Sequence, residues 1–287
     1  MFCLSQDYNW WNDLHNWDGV THWSQYMKLA PAYMGPNALP VPEIKNPLMS
    51  MNPGVSIAYE NHFSKGDKTN NAYAEIFLPL FSDKVGLNLN IVPLEHYRMD
   101  EATRDLRISR DFDGEGYASG DLYIATYIKI LQDKQSLPDM LLTINLRTAS
   151  GNNLNAARYT DTPGYWFDLS MGKEFKLNSS KIKSITQYGM IGFYVWQTNI
   201  INYYQNDALL YGIGNDILFK KIEICNSIGG YRGYLGNGDR PMVYRLAIRS
   251  KFESIFNYEL RYQQGINDFQ YSSFRLALVA NPNFHFK

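Results

Sequence analysis

The sequence has little cysteine, and this scarcity excludes domains that are stabilised by several disulfides or by a cysteine-bound zinc ion. Only Cys3 and Cys225 occur among 287 residues, and two cysteines supply neither a disulfide framework nor a cysteine-based zinc site. A run of about 18 apolar residues, which a transmembrane helix requires, is also missing. Finally, 27 Lys and Arg stand against 28 Asp and Glu, which excludes a nucleic-acid binder that acts through bulk positive charge.

Aromatic residues and glycine are abundant instead. The chain has 22 Tyr, 15 Phe, 6 Trp and 21 Gly, and 45% of its residues are hydrophobic, which excludes a disordered chain. Its mean hydropathy of −0.36 is typical of a soluble protein. A membrane β-barrel is the exception, because only alternate residues of its strands face lipid and its mean hydropathy therefore stays low.

The first 50 residues differ from the rest of the chain. Four of the six tryptophans lie between residues 10 and 23, and five prolines follow between residues 31 and 47. Because proline interrupts helices and strands alike, we predict a short helix within residues 10–28 and then an extended, irregular stretch. Residues 1–50 are interpreted as a periplasmic or plugging segment, and residues 51–287 as the β-domain.

This N-terminal region also raises two other possibilities. Residues 1–6 could be the remainder of a signal peptide, with the mature chain starting near Asp7, and lipid attachment at Cys3 is a weaker alternative. Four side chains could bind a metal, namely Asp13, His15, Asp18 and His22. Their spacing matches no established metal motif, so we predict packing against the domain and no metal site.

From about residue 53 the sequence alternates with a period of two residues, and helical periodicity is absent. Val55, Ile57 and Tyr59, for example, fall on one face of a strand. A run of hairpins without helices indicates a sandwich or an up-and-down barrel. The pattern predicts about 12 strands, at residues 53–63, 72–82, 85–98, 117–132, 138–149, 163–175, 183–197, 207–219, 222–232, 241–252, 255–265 and 271–281.

The lengths of the predicted connections decide between these folds. Long connections at 65–71, 99–116, 150–162, 198–206 and 233–240 are each followed by a shorter one. With an even number of strands, both termini and the short turns lie at one end, as in bacterial outer-membrane barrels with short periplasmic turns and long external loops. We therefore predict an all-β protein, a transmembrane, antiparallel, up-and-down β-barrel in the outer membrane, with an irregular, short-helical N-terminal segment.

The two faces of the predicted strands agree with this interpretation. Aromatic residues gather near strand ends, as in interfacial girdles, at Tyr165, Tyr203, Tyr204, Tyr231, Tyr234, Phe256, Tyr271 and Phe274. The chain also ends in an aromatic stretch, residues 284–287. The polar face is predicted to line the lumen, and its candidate residues are Glu60, His62, Glu75, His96, Arg98, Arg147, Asp168, Glu174, Asp216, Arg245, Arg249, Glu259, Arg261 and Arg275.

Several short motifs resemble those of a known family. They are Gly116-Tyr-Ala-Ser-Gly-Asp-Leu-Tyr123, Leu137-Pro-Asp139, Leu142-Thr-Ile-Asn-Leu-Arg-Thr-Ala-Ser-Gly151 and Asp161-Thr-Pro-Gly164. They resemble the outer-membrane barrel family associated with the phenol-degradation meta pathway, over about 50 of 287 residues. The resemblance implies a barrel that passes small, hydrophobic compounds. Residues 8–50 instead resemble the N-terminal segment of Bacteroidetes-type outer-membrane proteins.

Sequence motifs for catalysis are missing. The chain has no Gly-x-Ser-x-Gly, P-loop, His-Glu-x-x-His or Cys-x-x-Cys motif. Glu60, His62, Glu75 and His96 could converge in the lumen and provide a general base, but no serine is marked by its context. We therefore predict no catalytic residue, no cofactor and no enzyme, with a barrel hydrolase as a remote alternative.

The charges of the predicted lumen allow two functions. Arginines from three consecutive C-terminal strands face candidate carboxylate partners, so they either create a transverse field in a pore or form a salt-bridge lattice that plugs it. A barrel of about 12 strands lies between barrels of about 8 strands, whose interior is filled by side chains, and porins of about 16–18 strands, which enclose an aqueous channel. We predict passive or gated passage of a small solute. The alternatives are a plugged barrel that serves as a structural or partner subunit, and a soluble β-protein that holds a ligand in its cavity.

The expected partners follow from this placement. They are outer-membrane lipid and lipopolysaccharide, a small solute and another outer-membrane protein, and no nucleic acid. The charged loop at 99–116, which includes Arg104, Arg107 and Arg110, is predicted to be solvated. Contact with lipopolysaccharide phosphates or divalent ions is the alternative for this loop.

Overall fold

The structure is a computed structural model that describes residues 7–80, 83–132, 134 and 136–281. Its strands are β1 (Gly54–Ser64), β2 (Asp67–Pro79), β3 (Val85–Met99), β4 (Glu115–Ala118), β5 (Tyr123–Leu131), β6 (Asp139–Arg147), β7 (Gly164–Lys176), β8 (Ile182–Ile200), β9 (Tyr203–Phe219), β10 (Ile222–Gly233), β11 (Met242–Ser250), β12 (Phe256–Asn267) and β13 (Ser272–Ala280). The helical elements are α1 (Asn9–Leu14), α2 (Glu101–Leu106) and single 3-10 turns at Trp23–Tyr26, Pro31–Tyr33 and Leu154–Ala156. No helix in these ranges is long and apolar enough to cross a membrane.

The strands form a closed antiparallel barrel. Consecutive strands pair with each other, except β4 with β5, and β1 pairs with β13, from Val55 opposite Ala280 to Phe63 opposite Ser272. The predicted fold class, an all-β antiparallel barrel of about 12 strands, is confirmed, with one extra strand. That extra strand arises because β4 and β5 pair with successive parts of β3, so the predicted single strand at 117–132 is interrupted.

The interruption lies in the Gly-Asp-Leu motif. There the ladder is replaced by contacts to the Thr-Ala-Ser-Gly motif: Gly151 N donates to Asp121 Oδ1 (2.7 Å) and Leu122 N to Thr148 Oγ1 (3.1 Å). The break would otherwise leave Leu122 N–H unpaired, and Asp121 in turn satisfies a backbone donor of the neighbouring connection.

Apolar side chains cover the outside of the barrel. Tyr59 on β1, Leu260 on β12 and Leu276 on β13 are each more than half exposed, whereas the intervening Glu60, Glu259 and Arg275 point inward. This arrangement reverses that of a soluble barrel and is typical of a membrane barrel. Two members of the predicted aromatic girdle do not belong to it, because Tyr231 and Tyr271 are buried inside the barrel.

We call the two ends of the barrel the loop rim and the turn rim. The loop rim includes the long connections at 100–114, 148–163 and 234–241, and the turn rim includes the short ones at 177–181, 220–221 and 251–255. The prediction of long loops at 65–71 and 198–206 is wrong. Because β2 already starts at Asp67 and β8 continues to Ile200, these connections are two-residue turns at 65–66 and 201–202. Gly66 makes the first turn possible, because its φ is +89° and a Cβ would collide with Thr103. Residues 1–6 and 284–287 lie outside the described residues.

A charge on the outer surface should destabilise the barrel in lipid. Leu276 lies in the middle of β13 and is 55% exposed. Leu276→Arg is expected to lower the free energy of unfolding by about 2–4 kcal/mol, because the guanidinium would enter hydrocarbon. Denaturant titration in lipid vesicles measures the change, with Val20→Arg, at an exposed position of the loop rim, as the control. Equal stability of the two variants would contradict a lipid-facing surface.

Candidate functional site: the lumen and its threading segment

Residues 7–53 run from the loop rim through the barrel to the turn rim. At the loop rim, Trp11 Nε1 donates to Ile108 O (3.2 Å), Gln25 Nε2 to Asn199 O (2.8 Å) and Ala32 N to Gly238 O (3.2 Å). Residues 35–46, which we call the threading segment, then contact inward-facing side chains along the lumen. The described chain thus starts at the loop rim and ends, after β13, at the turn rim, so the expectation that both termini lie at the short-turn end is wrong.

The backbone of the threading segment is held by barrel side chains. Prolines at 36, 40 and 42 prevent regular secondary structure, and the carbonyls of residues 38, 39, 41 and 42 are hydrogen-bonded by barrel side chains. Arg147 donates to Ala38 O, Tyr231 Oη to Leu39 O (3.0 Å), and Arg245 to Val41 O (2.5 Å) and Pro42 O (3.1 Å). The lumen arginines therefore bind this segment as well as carboxylates.

Side chains of the same stretch complete ion pairs with the wall. Lys45 Nζ lies 2.8 Å from Asp168 Oδ2, whose side chain is fully buried. Asn46 Nδ2 donates to Asp216 Oδ2 (2.7 Å), and Glu43 pairs with Arg261. Arg261 also contacts Glu259 (3.0 Å), and Arg249 Nε contacts the other oxygen of that carboxylate (2.7 Å). These contacts connect the predicted charges to residues of the first 50.

A second ion cluster closes the lumen beneath the loop rim. Arg158 Nε lies 2.6 Å from Glu95 Oε1, and Asp67 Oδ2 lies 2.7 Å from Arg158 Nη1 and 2.6 Å from Arg107 Nη1. These four residues, the loop-rim cluster, are at most 3% exposed. Burial alone lowers the pKa of the Arg158 guanidinium, but the carboxylates of Glu95 and Asp67 outweigh it and raise that pKa well above its ordinary value.

The loop-rim cluster was not predicted from the sequence. Asp67 fell in an assumed loop and Arg107 in a loop predicted to be solvated; in the structure Arg104 and Arg107 are buried, so that prediction is wrong for both. One sequence signal did indicate that β2 begins earlier than residue 72. Asp67, Thr69 and Asn71 are alternate polar residues, and they extend the inward face of β2 towards its N-terminal end. Asn37 Nδ2 donates to Glu95 Oε2 (2.7 Å) and so connects the threading segment to this cluster.

Most of the predicted lumen residues lie on the inward face. Glu174 is half-buried there, near the turn rim, and the other inward members are Glu60, His62, Glu75, Arg147, Asp168, Asp216, Arg245, Arg249, Glu259, Arg261 and Arg275. His96 and Arg98 do not line the lumen. They lie on the outer face, at 3.5 and 3.6 Å from the carboxylate of Glu115, and Arg98 has a 73% exposed side chain.

A shift in strand register explains this correction. Ala72 of β2 lies opposite Leu94, but Ala74 lies opposite Ile91, so β3 carries an extra residue at this point. Pro93 and Leu94 are consecutive exposed residues, after which Glu95 and Tyr97 point inward in place of the even-numbered positions. A β-bulge of this kind reverses which alternate residues face the core. The predicted convergence of His96 with His62 therefore does not occur.

Beside the threading segment the lumen contains two adjacent cavities. The inner chamber, of about 210 Å³, is lined by Tyr123 and Trp166 on one side and by His62 and Arg275 on the other. The vestibule, of about 1090 Å³, is lined by Arg249, Glu259 and other residues towards the turn rim. Glu43, Glu75 and Tyr127 line both cavities, so the vestibule and the chamber are neighbours in the lumen.

One group of side chains has the spacing of metal ligands among the described residues. The ligand atoms of Asp216, Glu223 and Cys225 lie within 4.8 Å of one another. Asp216, however, accepts hydrogen bonds from Asn46 and from Tyr188 (2.8 Å), and Glu223 pairs with Lys251 (2.9 Å). Protein partners already satisfy these carboxylates. The four N-terminal candidates, Asp13, His15, Asp18 and His22, do not form such a group.

The comparisons with known proteins identify a fold and no family. No family model and no curated protein matches the chain. The COG4313 outer membrane channel from Pseudomonas putida F1 superposes with a TM-score of 0.52 at 12% identity, over 85% of this chain and 97% of the other. The KdgM porin gives 0.46 at 11% identity (80% and 99%), and LpxR from Salmonella typhimurium 0.46 at 8% identity (78% and 99%). The fold is therefore that of an outer-membrane β-barrel, while the resemblance to the phenol-degradation family stays a prediction.

The ion pair between Lys45 and Asp168 provides a test of the threading segment. Lys45→Met leaves the buried Asp168 carboxylate without its cation, which is expected to cost about 3–5 kcal/mol of stability. Lys45→Met combined with Asp168→Leu should cost less, because no uncompensated charge remains. Denaturant unfolding in vesicles measures both, with exposed Lys220→Met as the control. A single variant as stable as the control would show that the segment does not occupy the lumen.

Proposed function

We propose that the chain is an outer-membrane channel for small solutes whose lumen is closed by its own N-terminal segment. One observation carries the proposal: residues 35–46 are held in a polar, closed barrel by side-chain contacts and by one backbone hydrogen bond, from Gly35 N to Ala157 O (2.8 Å), and no strand pairing ties them to the wall. Such contacts can be broken while the barrel stays intact, since the ladder that closes the wall is separate. The apolar outer surface supports placement in the outer membrane, with lipid and lipopolysaccharide as its surroundings.

The two ends of the lumen differ in the closed state: the vestibule lies towards the turn rim, and the loop-rim cluster closes the loop rim. The vestibule lies next to the chamber on the side of the turn rim, whereas the loop-rim cluster and residues 7–33 cover the opposite end. A solute would therefore need displacement of the threading segment to pass. Charges of both signs line the two cavities, which favours a small polar solute over a hydrocarbon.

Conductance tests the channel. Arg158→Gln removes the cation shared by Asp67 and Glu95, so the two buried carboxylates repel each other and weaken the closure. In planar bilayers the native protein is expected to open rarely, and Arg158→Gln to open at least tenfold more often. Exposed Lys181→Gln is the control and should behave as the native protein does. If neither the native protein nor Arg158→Gln conducts, the plugged structural or partner barrel replaces this proposal.

Orientation is tested by labelling intact cells. With the loop rim outside, Val20→Cys should react with a membrane-impermeant maleimide, because Val20 is 89% exposed at that rim. Lys181→Cys at the turn rim should react only after lysis. Both variants are made in a background with Cys3→Ser and Cys225→Ser, which removes the native thiols. The opposite labelling pattern would place the turn rim outside.

A further inference from the structure

A serine, a histidine and an asparagine meet on the wall of the inner chamber. Ser273 Oγ lies 2.7 Å from His62 Nδ1, and His62 Nε2 lies 2.8 Å from Asn71 Oδ1. Barrel closure creates the first contact, since it places His62 of β1 opposite Ser273 of β13. All three residues are buried, and His62 and Ser273 line the chamber.

The surrounding hydrogen bonds determine which nitrogen of His62 carries the proton. Arg275 binds the Glu60 carboxylate, which therefore accepts hydrogen bonds. Asn71 Nδ2 donates to Glu60 Oε2 (2.6 Å), so Asn71 Oδ1 is turned to His62 and accepts from Nε2–H. In the neutral imidazole, His62 Nδ1 then keeps its lone pair and accepts the hydroxyl hydrogen of Ser273. This is the tautomer that a general base requires beside a serine nucleophile.

A candidate oxyanion donor lies next to the serine. Gln263 of β12 is directly opposite Ser273 in the sheet. Its Oε1 accepts from Arg245 Nε (2.6 Å), which leaves the amide N–H groups to face away from that guanidinium. Gln263 lines the same chamber as Ser273. An amide donor beside the nucleophile can stabilise the oxyanion of an acyl-transfer intermediate.

We propose that Ser273 is the nucleophile of an esterase site inside the lumen, with His62 as general base and Asn71 as a positioning residue. Ser273 Oγ attacks the acyl carbon of a small ester, and its proton moves to His62 Nδ1. That proton passes to the alcohol oxygen as the acyl–oxygen bond breaks, leaving an acyl-serine. Water then attacks the acyl carbon, His62 takes its proton and returns it to Ser273 Oγ, and the carboxylic acid leaves. This activity does not depend on solute passage.

Covalent labelling of the full-length, folded protein tests the site. A fluorophosphonate probe is expected to modify Ser273, identified by peptide mass spectrometry, and p-nitrophenyl acetate is expected to be hydrolysed. Ser273→Ala should abolish both, and His62→Ala should slow labelling at least ~100-fold. Ser272→Ala is the matched control, because the neighbouring hydroxyl bonds to Gln264 away from the chamber, and it should react as the native protein does.

The role of Asn71 has its own readout. Asn71→Ala should slow labelling, and Asn71→Asp should restore part of the rate, since a carboxylate oxygen still accepts from His62 Nε2. A purely structural role would not give this rescue among variants that keep the heat-modifiable gel mobility of a folded barrel.

Two results would overturn the proposal. One is a folded native protein in which the probe leaves Ser273 unmodified, and the other is ester turnover that survives Ser273→Ala. If Ser273→Ala does not fold, Ser273→Cys replaces it, because a thiol beside His62 should be alkylated by iodoacetamide at neutral pH. A folded Ser273→Cys barrel that resists alkylation at position 273 would likewise contradict an activated nucleophile.

Discussion

Backbone polar groups inside a membrane have no water to bind, so every strand of a membrane sheet needs a neighbour on both sides. The pairing of β1 with β13 meets this constraint and closes the sheet. Closure in turn separates an apolar exterior from a polar interior, and it places Ser273 beside His62. The irregular stretch between β4 and β5 obeys the same constraint, because the 148–151 loop supplies the hydrogen bonds that the ladder lacks.

The charged side chains that point into the lumen then need ion-pair or hydrogen-bond partners inside it. Two inward arginines form no ion pair with a carboxylate among the described residues, and carbonyls of the threading segment accept their hydrogen bonds. These are Arg147 and Arg245, which bind the backbone of residues 38–42. The proline-rich sequence of that segment suits this role, because proline prevents a helix or a strand ladder and so leaves carbonyls such as those of residues 38–42 to side-chain donors. Lumen and segment are therefore parts of one electrostatic arrangement.

Local pattern was sufficient to predict much of the fold, and non-local geometry explains most failures. Alternation identified the strands and the inward face of residues such as Asp168 and Arg245. It failed at His96, because a bulge in β3 changes the register, and Pro93 was the only local sign of that bulge. The loop-rim cluster was missed because its members, Asp67, Glu95, Arg107 and Arg158, are far apart in the chain. In addition, nothing in the local sequence distinguishes an arginine that will be buried from one that will be exposed to solvent.

The sequence by itself determined the class of the protein, because a period of two, short polar turns and apolar alternate positions are local properties of the chain. It also indicated that residues 1–50 are distinct. Only the tertiary structure decided that this region enters the lumen, at which rim it begins, and which side chains meet there. Ser273, His62 and Asn71 come together through closure and register, and both depend on pairing between residues up to about two hundred positions apart, which no local pattern records.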